Sequence, residues 1–190
     1  MKFSSIIAGF ATLVSVAQAS VIQEQEPNND INTAQIIPVG AFTLGFNPII
    51  ANSATLPWVT IEGTGDDTHD YYSFVVPTAG MIASVFDVDN TNNFDSWLTL
   101  YNSNGRIIRI NNNGSPGDPG SNTAHDSYLT YTFTAPGTYT IAVSRCCGPP
   151  FHTRSNYVPS GATYKLHISL GYTEAQLRAA YGMGDPHFKV

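Results

Sequence analysis

The residues with the clearest chemical potential lie in the stretch GTGDDTHDYYSF, residues 63–74. Asp66, Asp67 and Asp70 fall within five positions, and His69 stands beside the last of them. Carboxylates this close together can bind a cation, can act as a general acid and base, or can simply form a polar turn before a strand. The rest of the sequence has to distinguish these three chemistries.

Most of the acidic residues cluster in segments that are also rich in asparagine. Twelve of the 14 lie in four such segments, in predicted loops or at strand ends. Asp and Asn are short enough for their oxygens to converge from a loop, and neighbouring carboxylates repel each other unless a cation neutralises them. The pattern predicts bound calcium, and the alternative is that Asp, Asn and Gly serve as ordinary turn formers. The segments DVDNTNNFDS and GDPGSNTAHDS supply a second predicted site of Asp87, Asp89, Asp95, Asp118 and Asp126.

Two Asp-Ser pairs, at positions 95–96 and 126–127, raise the question of hydrolase chemistry. An aspartic protease needs a glycine after each pair, so that two loops can hold their carboxylates against each other. Here Trp97 and Tyr128 follow instead, and each pair runs into a predicted strand. The sequence also lacks a G-x-S-x-G nucleophile elbow. We therefore expect a protein without catalytic residues, and a secreted hydrolase or hydrolase accessory is the alternative.

The two cysteines, Cys146 and Cys147, are neighbours in the sequence. An even number of cysteines in a secreted chain normally indicates disulfides, but adjacent cysteines cannot join distant segments. A vicinal disulfide, free thiols and a bridge between molecules are all open, as is a Cys-His nucleophile with His152. The five histidines show no metal-ligand spacing, so we expect no zinc site.

Short strands must position these residues, because apolar and polar side chains alternate in segments bounded by Gly, Pro, Asn and Asp. The pattern predicts an all-β fold, an antiparallel β-sandwich or jelly roll of about eight to nine strands, with a short C-terminal helix in YTEAQLRAAYG. The predicted strands are Phe42–Phe46, Trp58–Glu62, Tyr71–Val76, Met81–Val88, Trp97–Tyr101, Arg106–Ile110, Tyr128–Phe133, Thr138–Ser144 and Thr163–Leu170.

The chain begins with Lys2, an apolar run and the small-x-small motif at 17–19. This predicts a signal peptide of residues 1–19, a sandwich domain of residues 20–170 and a tail of residues 171–190. The mature protein would then be secreted, either extracellular or periplasmic. A formal net charge of −6 argues against a basic patch for nucleic acid, and no later segment is apolar enough to span a membrane.

Four segments in this order, EQEPNNDINTAQ, GDDTHDYYSFVVPTAG, FDSWLTLYNSNG and GTYTIAVS, resemble the bacterial pre-peptidase C-terminal domain. The resemblance runs from about Glu24 to Ser144, looks closest to stand-alone secreted members in which the FDSWLTLYNSNG and DSYLTY segments recur, and extends to the clostridial collagen-binding modules. It implies a secreted β-sandwich module of the type often attached to proteases and collagenases.

In calcium-binding relatives, an N-terminal Glu-x-Glu-x-Asn segment folds back onto an acidic loop. The resemblance therefore implies a first calcium site with ligands from both segments, and Asp70, directly before the YYSF strand, is central to it. The implied ligands are Glu24, Glu26, Asn28, Asp30, Glu62, Asp67 and Asp70.

Together these features predict a secreted, non-catalytic, calcium-stabilised module that binds an extracellular polymer, either polysaccharide or protein. The principal alternative is a structural subunit of an extracellular fibre or matrix. Such a subunit would self-associate through its N-terminal strand or its cysteine pair.

Overall fold

The computed structural model describes residues 21–77, 82–89, 94–114, 118–150 and 156–171. The predicted signal peptide and the predicted C-terminal helix both lie outside these residues. Among the helices found in the described ranges, none is long and apolar enough to cross a membrane.

Ten strands and a single 3-10 turn at Val39–Ala41 make up the regular structure of the described residues, so the predicted all-β sandwich is confirmed. The strands are β1 (Val21–Gln23), β2 (Gln35–Ile36), β3 (Trp58–Thr64), β4 (Asp70–Val76), β5 (Ile82–Asp89), β6 (Ser96–Tyr101), β7 (Ile107–Asn111), β8 (Tyr128–Phe133), β9 (Gly137–Arg145) and β10 (Thr163–Leu170).

Eight of the nine predicted strands are present with small shifts at their ends, and the strand predicted at Phe42–Phe46 is wrong. Only Thr43 pairs there, through an isolated bridge to Trp58. The carbonyl of Gly45 instead accepts a hydrogen bond of 2.8 Å from Nε1 of Trp58, and Phe46 is 80% exposed. The segment therefore runs over the sheet as a covering loop.

The strands form two five-stranded sheets, in the orders β1-β3-β10-β5-β8 and β2-β4-β9-β6-β7. All pairs are antiparallel except β1 with β3 and β2 with β4, which are parallel. The prediction of a purely antiparallel sandwich is therefore corrected to two mixed sheets. Because β1 lies on one sheet and β2 on the other, the residues between them cross from sheet to sheet.

The core lies between the two sheets and follows from the period-two alternation of each strand. On β4, for example, Tyr72, Phe74 and Val76 are buried in the core, whereas Val75 between them is exposed. The ring of Phe74 packs 5.6 Å from that of Phe86 on β5, centroid to centroid, and so joins the two sheets. Apolar burial of this kind is the main source of stability in a sandwich.

The outer face of the first sheet is polar but is covered by loops. Thr60 of β3 and His167 of β10 face away from the core, yet they are only 4% and 1% exposed. Loop residue Asn52 accepts a hydrogen bond of 2.8 Å from Ser169 of β10, which holds the 44–57 loop on this face. The cover creates a polar interior distinct from the apolar core.

The structure resolves the question of the cysteines, since Cys146 and Cys147 form a disulfide with each other. They directly follow β9, and the chain turns after them. Neither cysteine is left free to bridge molecules.

Candidate metal centre

The N-terminal segment is held against the sandwich by backbone hydrogen bonds at both ends. After β1, the amide of Glu24 donates to the carbonyl of Glu62 at 3.0 Å. Further along, the carbonyl of Asn28 accepts from the amide of Tyr71 at 2.9 Å. These bonds bring the acidic residues of the segment to the start of β4, where Asp70 lies.

Four side chains meet at this point, and we call them the N-terminal cage: Glu24, Glu26, Asn28 and Asp70. One carboxylate oxygen from each of Glu24, Glu26 and Asp70 lies within 4.8 Å of the other two. Oxygen ligands about 2.3–2.6 Å from a calcium ion can be separated by distances of this size. The three carboxylates are therefore close enough to share one cation.

Two oxygens of the N-terminal cage are buried without a partner. Asn28 and Asp70 are both fully buried, and Oδ1 of each accepts no hydrogen bond from any described residue. Leaving a buried polar atom unpaired costs free energy, and burying an unpaired charge costs far more. The geometry of these two oxygens therefore fits a ligand that coordinates them.

The hydroxyls of two buried tyrosines contact the carboxylates of Asp70 and Glu24. The hydroxyl of Tyr164 lies 2.7 Å from Oδ2 of Asp70 and 3.1 Å from Oε1 of Glu24, and Tyr72 also donates to Oε1 of Glu24. A Cβ on Gly63 would lie 2.2 Å from Cζ of Tyr164, so only glycine leaves room for this ring. The tyrosines thus hold Oε1 of Glu24 and Oδ2 of Asp70, the amide of Thr64 donates to Oε2 of Glu24 at 2.6 Å, and Oδ1 of Asp70 has no partner among the described residues.

The carboxylates of the N-terminal cage repel one another, and either protonation or a bound cation would relieve that repulsion. Burial raises the pKa of Asp70 well above its ordinary value, and the charges of Glu24, Glu26 and Asp66 raise it further, against the lowering effect of the Tyr164 hydrogen bond. Burial also raises the pKa of Glu26. A cation would remove this repulsion without requiring protonation.

Three of the seven residues in the first predicted site lie outside the N-terminal cage. Glu62 is on the surface of β3, where Gln23 and Lys165 approach its carboxylate at 2.8 Å and 3.4 Å. Oδ1 of Asp67 accepts from the amide of Ser160 at 3.0 Å. Asp30 caps its own turn, with the amides of Asn32 and Thr33 donating to its Oδ1 at 2.7 Å and 3.2 Å.

Asp66, which was not among the predicted calcium ligands, does influence the N-terminal cage. Its charge raises the pKa of both Glu26 and Asp70. Its side chain is exposed and accepts from the hydroxyl of Thr68. The only sequence signal for it was its place in the opening DDTHD stretch.

Four residues of the second predicted site come together, and Asp95 does not. Burial raises the pKa of Asp87, and the charges of Asp89, Asp118 and Asp126 raise it further, so these four carboxylates lie near one another. The Asp95 carboxylate lies elsewhere, with Oδ2 at 3.5 Å from Nδ1 of His125, and in contact range of the cysteine pair.

The two Asp-Ser pairs noted in the sequence meet in space through their serines. The amide of Ser127 donates to Oγ of Ser96 at 2.9 Å, and Oγ of Ser127 donates to the carbonyl of Ser96 at 2.8 Å. Both serines are fully buried. Their hydroxyls therefore hold the starts of β6 and β8 together, a structural use that accounts for the repeated motif.

Residues 68–145 match the family model of the bacterial pre-peptidase C-terminal domain. The resemblance seen in the sequence is therefore confirmed. The matched region runs from just before β4 to the end of β9, so it includes Asp70 and leaves out Glu24, Glu26 and Asn28. No curated protein matches the chain.

Solved structures similar to this chain include three bacterial proteins. The pre-peptidase C-terminal domain of a collagenase from Bacillus anthracis is 18% identical, with 59% of this chain and 87% of that chain covered and a TM-score of 0.36. A periplasmic inhibitor of g-type lysozyme from Aeromonas hydrophila is 12% identical over 80% and 99%, with a TM-score of 0.38. A carbohydrate-binding module of lichenase 5A from Cellvibrio mixtus is 13% identical over 63% and 73%, with a TM-score of 0.25.

Proposed function

We propose that this protein is an extracellular, non-catalytic binding module whose N-terminal segment is fastened to the sandwich by calcium in the N-terminal cage. The observation that carries the calcium proposal is the pair of fully buried, unpartnered oxygens, Oδ1 of Asn28 and Oδ1 of Asp70. They adjoin three carboxylates that share one small volume. A cation satisfies the oxygens and neutralises the carboxylates at once.

The donors of the N-terminal cage favour calcium over a transition metal. Its side chains offer carboxylate and amide oxygens, and no histidine or cysteine among the described residues belongs to the group. Calcium takes about six to eight oxygen ligands in flexible geometry, whereas zinc prefers nitrogen and sulfur. The backbone or water would complete the coordination sphere.

Calcium at this position would link segments of the two sheets. Glu24 and Glu26 follow β1 of the first sheet, Asn28 precedes β2 of the second, and Asp70 begins β4. A cation bound only by the folded arrangement stabilises it by mass action, by about 2.7 kcal/mol at a hundred times Kd. The bound calcium would therefore increase the free energy of unfolding of the whole module outside the cell, where calcium is abundant.

The binding role is supported by the family match and by the predicted signal peptide. We propose an extracellular polymer, polysaccharide or protein, as the partner. The experiment is co-sedimentation of the purified protein with insoluble collagen, cellulose and chitin, each with calcium and with chelator. Retention on at least one polymer supports the binding role, and recovery in every supernatant contradicts it.

Calcium itself is tested by thermal unfolding of the purified chain in calcium and in excess chelator. We expect the melting temperature to fall in chelator by roughly 5–10 °C, from the mass-action term and the usual dependence of Tm on free energy for a chain of this size. Identical melts in the two buffers would remove the calcium proposal and leave the polymer result unaffected.

A structural subunit of a fibre or matrix is the second candidate, favoured by exposed apolar residues on strands and loops. Ile36 on edge strand β2 is 75% exposed and Phe46 is 80% exposed, and such surfaces promote self-association. The cysteine pair does not favour it, because its disulfide closes within the chain. Size-exclusion chromatography across a range of protein concentrations would distinguish a monomeric module from an assembling subunit.

A further inference from the structure

The covered outer face of the first sheet contains a second set of carboxylates, away from the N-terminal cage. On β5, Phe86 and Val88 belong to the core, so Asp87 between them faces outward. The strand register places Asp87 between His167 of β10 and Tyr128 of β8. Although it faces outward, Asp87 is only 2% exposed.

A loop that contains Gly120 and Ser121 folds onto this face, and both Asp87 and Asp89 are buried beneath it. Oγ of Ser121 lies 3.4 Å from Oδ1 of Asp89, and a Cβ on Gly120 would lie 1.9 Å from Oδ2 of Asp89. Gly120 has a φ of 98°, which also favours glycine. The loop therefore approaches β5 as closely as a backbone can.

Hydrogen bonds bring three more oxygen-bearing side chains to the same place. The amide of Val88 donates to the carbonyl of Ser127 at 2.9 Å, which continues the β5–β8 register past Asp87 and brings Asp126 toward Asp89 on the same face. Oγ of Ser127 lies 2.7 Å from the carbonyl oxygen of Asn112. A Cβ on Gly114 would lie 2.9 Å from the carbonyl of Asp126 and 3.2 Å from Oδ2 of Asp118, and these contacts bring the loop carboxylates together.

Several oxygens of this group are buried without a hydrogen-bond donor. Oδ1 of Asp87, Oδ1 of Asn112 and both carboxylate oxygens of Asp118 are shielded from solvent and have no partner among the described residues. No Lys or Arg of those residues forms an ion pair with Asp87 or Asp118. Nε2 of the one neighbouring histidine, His167, is 3.1 Å from Asp89 instead.

We propose that Asp87, Asn112, Asp118 and Asp126, the loop cage, bind a second divalent cation of calcium size. All four donors are oxygens, the kind that calcium prefers. Asp126 is held in place by the amide of Asn122, which donates to its Oδ2 at 2.8 Å. No three of these carboxylates approach within 4.8 Å as those of the N-terminal cage do, so binding requires the Asp87, Asp118 and Asp126 side chains to move closer together around the ion.

The loop cage does not depend on the N-terminal cage, so separate variants distinguish them. The experiment is isothermal titration of calcium into the chelator-stripped full protein and its Asp118→Asn, Asp70→Asn and Asp95→Asn variants. We expect Asp118→Asn to lose one ion, Asp70→Asn to lose a different one, and the control Asp95→Asn to keep both. Asp95 is the control because it carries the same charge but is not among the charges that act on Asp87, and its carboxylate lies by His125 and the cysteine pair.

Unchanged stoichiometry and affinity in Asp118→Asn would overturn the loop cage while leaving the N-terminal cage standing. Loss of the same ion in Asp95→Asn would also overturn it, because the overall negative charge of the protein would then explain the binding. If Asp118→Asn lost an ion while Asp70→Asn and Asp95→Asn both kept the full stoichiometry, the N-terminal cage would fail and the loop cage would stand.

A second measurement covers the case in which Asp118→Asn does not fold. Terbium replaces calcium and emits when a nearby tyrosine is excited, and Tyr128 is the direct strand neighbour of Asp87. Tyr128→Phe leaves every carboxylate in place, so we expect unchanged folding and a several-fold loss of the emission that persists in Asp70→Asn. Emission equal to that of the parent protein would contradict the proposal.

Discussion

The hydroxyl of Tyr164 lies 2.7 Å from Oδ2 of Asp70, and this contact joins β10 of one sheet to β4 of the other. Because Oδ2 is engaged by the tyrosine, Oδ1 is the oxygen that remains for a ligand. The tyrosine therefore positions the cation ligand without being one. Loss of a partner that orients a metal ligand in this way typically weakens metal binding.

Replacing Tyr164 with phenylalanine tests that positioning role. The ring and its packing are kept, but Asp70 and Glu24 lose a shared hydroxyl, so we expect calcium affinity to fall by about 10–100-fold. Titration calorimetry measures this directly. Tyr139→Phe is the control, since it loses a hydroxyl bond of 2.9 Å to the carbonyl of Ala135 away from the cage. Equal affinity in Tyr164→Phe and wild type would contradict the role.

Asp70→Asn tests the N-terminal cage at its most buried carboxyl. The amide keeps the shape but removes a charge, so the chelator-dependent fall in melting temperature should largely disappear. Without calcium, the variant should be at least as stable as wild type at neutral pH, because repulsion from Glu24 and Glu26 is relieved. Asp67→Asn, on an exposed side chain bound to Ser160, should keep the full calcium effect. Scanning calorimetry with and without chelator compares all three proteins.

The long strands could be predicted from the sequence because their alternation records burial on one face. β1 and β2 could not, since stretches of three and two residues carry no period. Their pairing depends on where the edges of β3 and β4 lie, which only the assembled sandwich defines. Phe42–Phe46 shows the opposite failure, because FTLGF alternates like a strand but covers the sheet as a loop.

The metal ligands were predictable as segments but not as individual residues. Glu62 and Asp66 are equally acidic neighbours of the same loop, yet Glu62 faces Lys165 only because of the register between β3 and β10. Asp67 adopts a positive φ of 67°, and its carboxylate binds the Ser160 amide. Such choices depend on contacts between residues distant in the sequence, and local patterns do not record them.

Gly63→Ala tests whether the close approach of β3 to Tyr164 supports the cage. The added Cβ would lie 2.2 Å from Cζ of a fully enclosed ring, so we expect a loss of about 1–3 kcal/mol in the free energy of unfolding, together with weaker calcium binding. Gly45→Ala is the matched control, because nothing lies within 4 Å of its added Cβ. Urea unfolding and calcium titration of both variants provide the comparison, and matching results would show that the Tyr164 contact is unimportant.

The stability of the cation-free protein should fall as pH rises. Burial raises the pKa of Asp70 well above its ordinary value, and burial with the charges of Asp89, Asp118 and Asp126 raises the pKa of Asp87 to about 9. Aspartates in the unfolded chain have a pKa of about 3.9. Between about pH 4 and 9 the folded state therefore binds more protons than the unfolded state. The free energy of unfolding then decreases through that window, since its slope with pH has the sign of the unfolded minus the folded proton count.

Calcium should reverse this dependence, because a cation takes the place of the protons on the same carboxyls. We expect the stabilisation by calcium to be small near pH 4.5 and to grow steadily toward pH 9. Urea unfolding of dialysed protein at a series of pH values, with and without added calcium, measures both curves. A cation-free stability that increases from pH 5 to pH 8 would contradict the buried-carboxylate account of both cages. Asp70→Asn should flatten the cation-free curve in part, and Asp87 would account for the slope that remains.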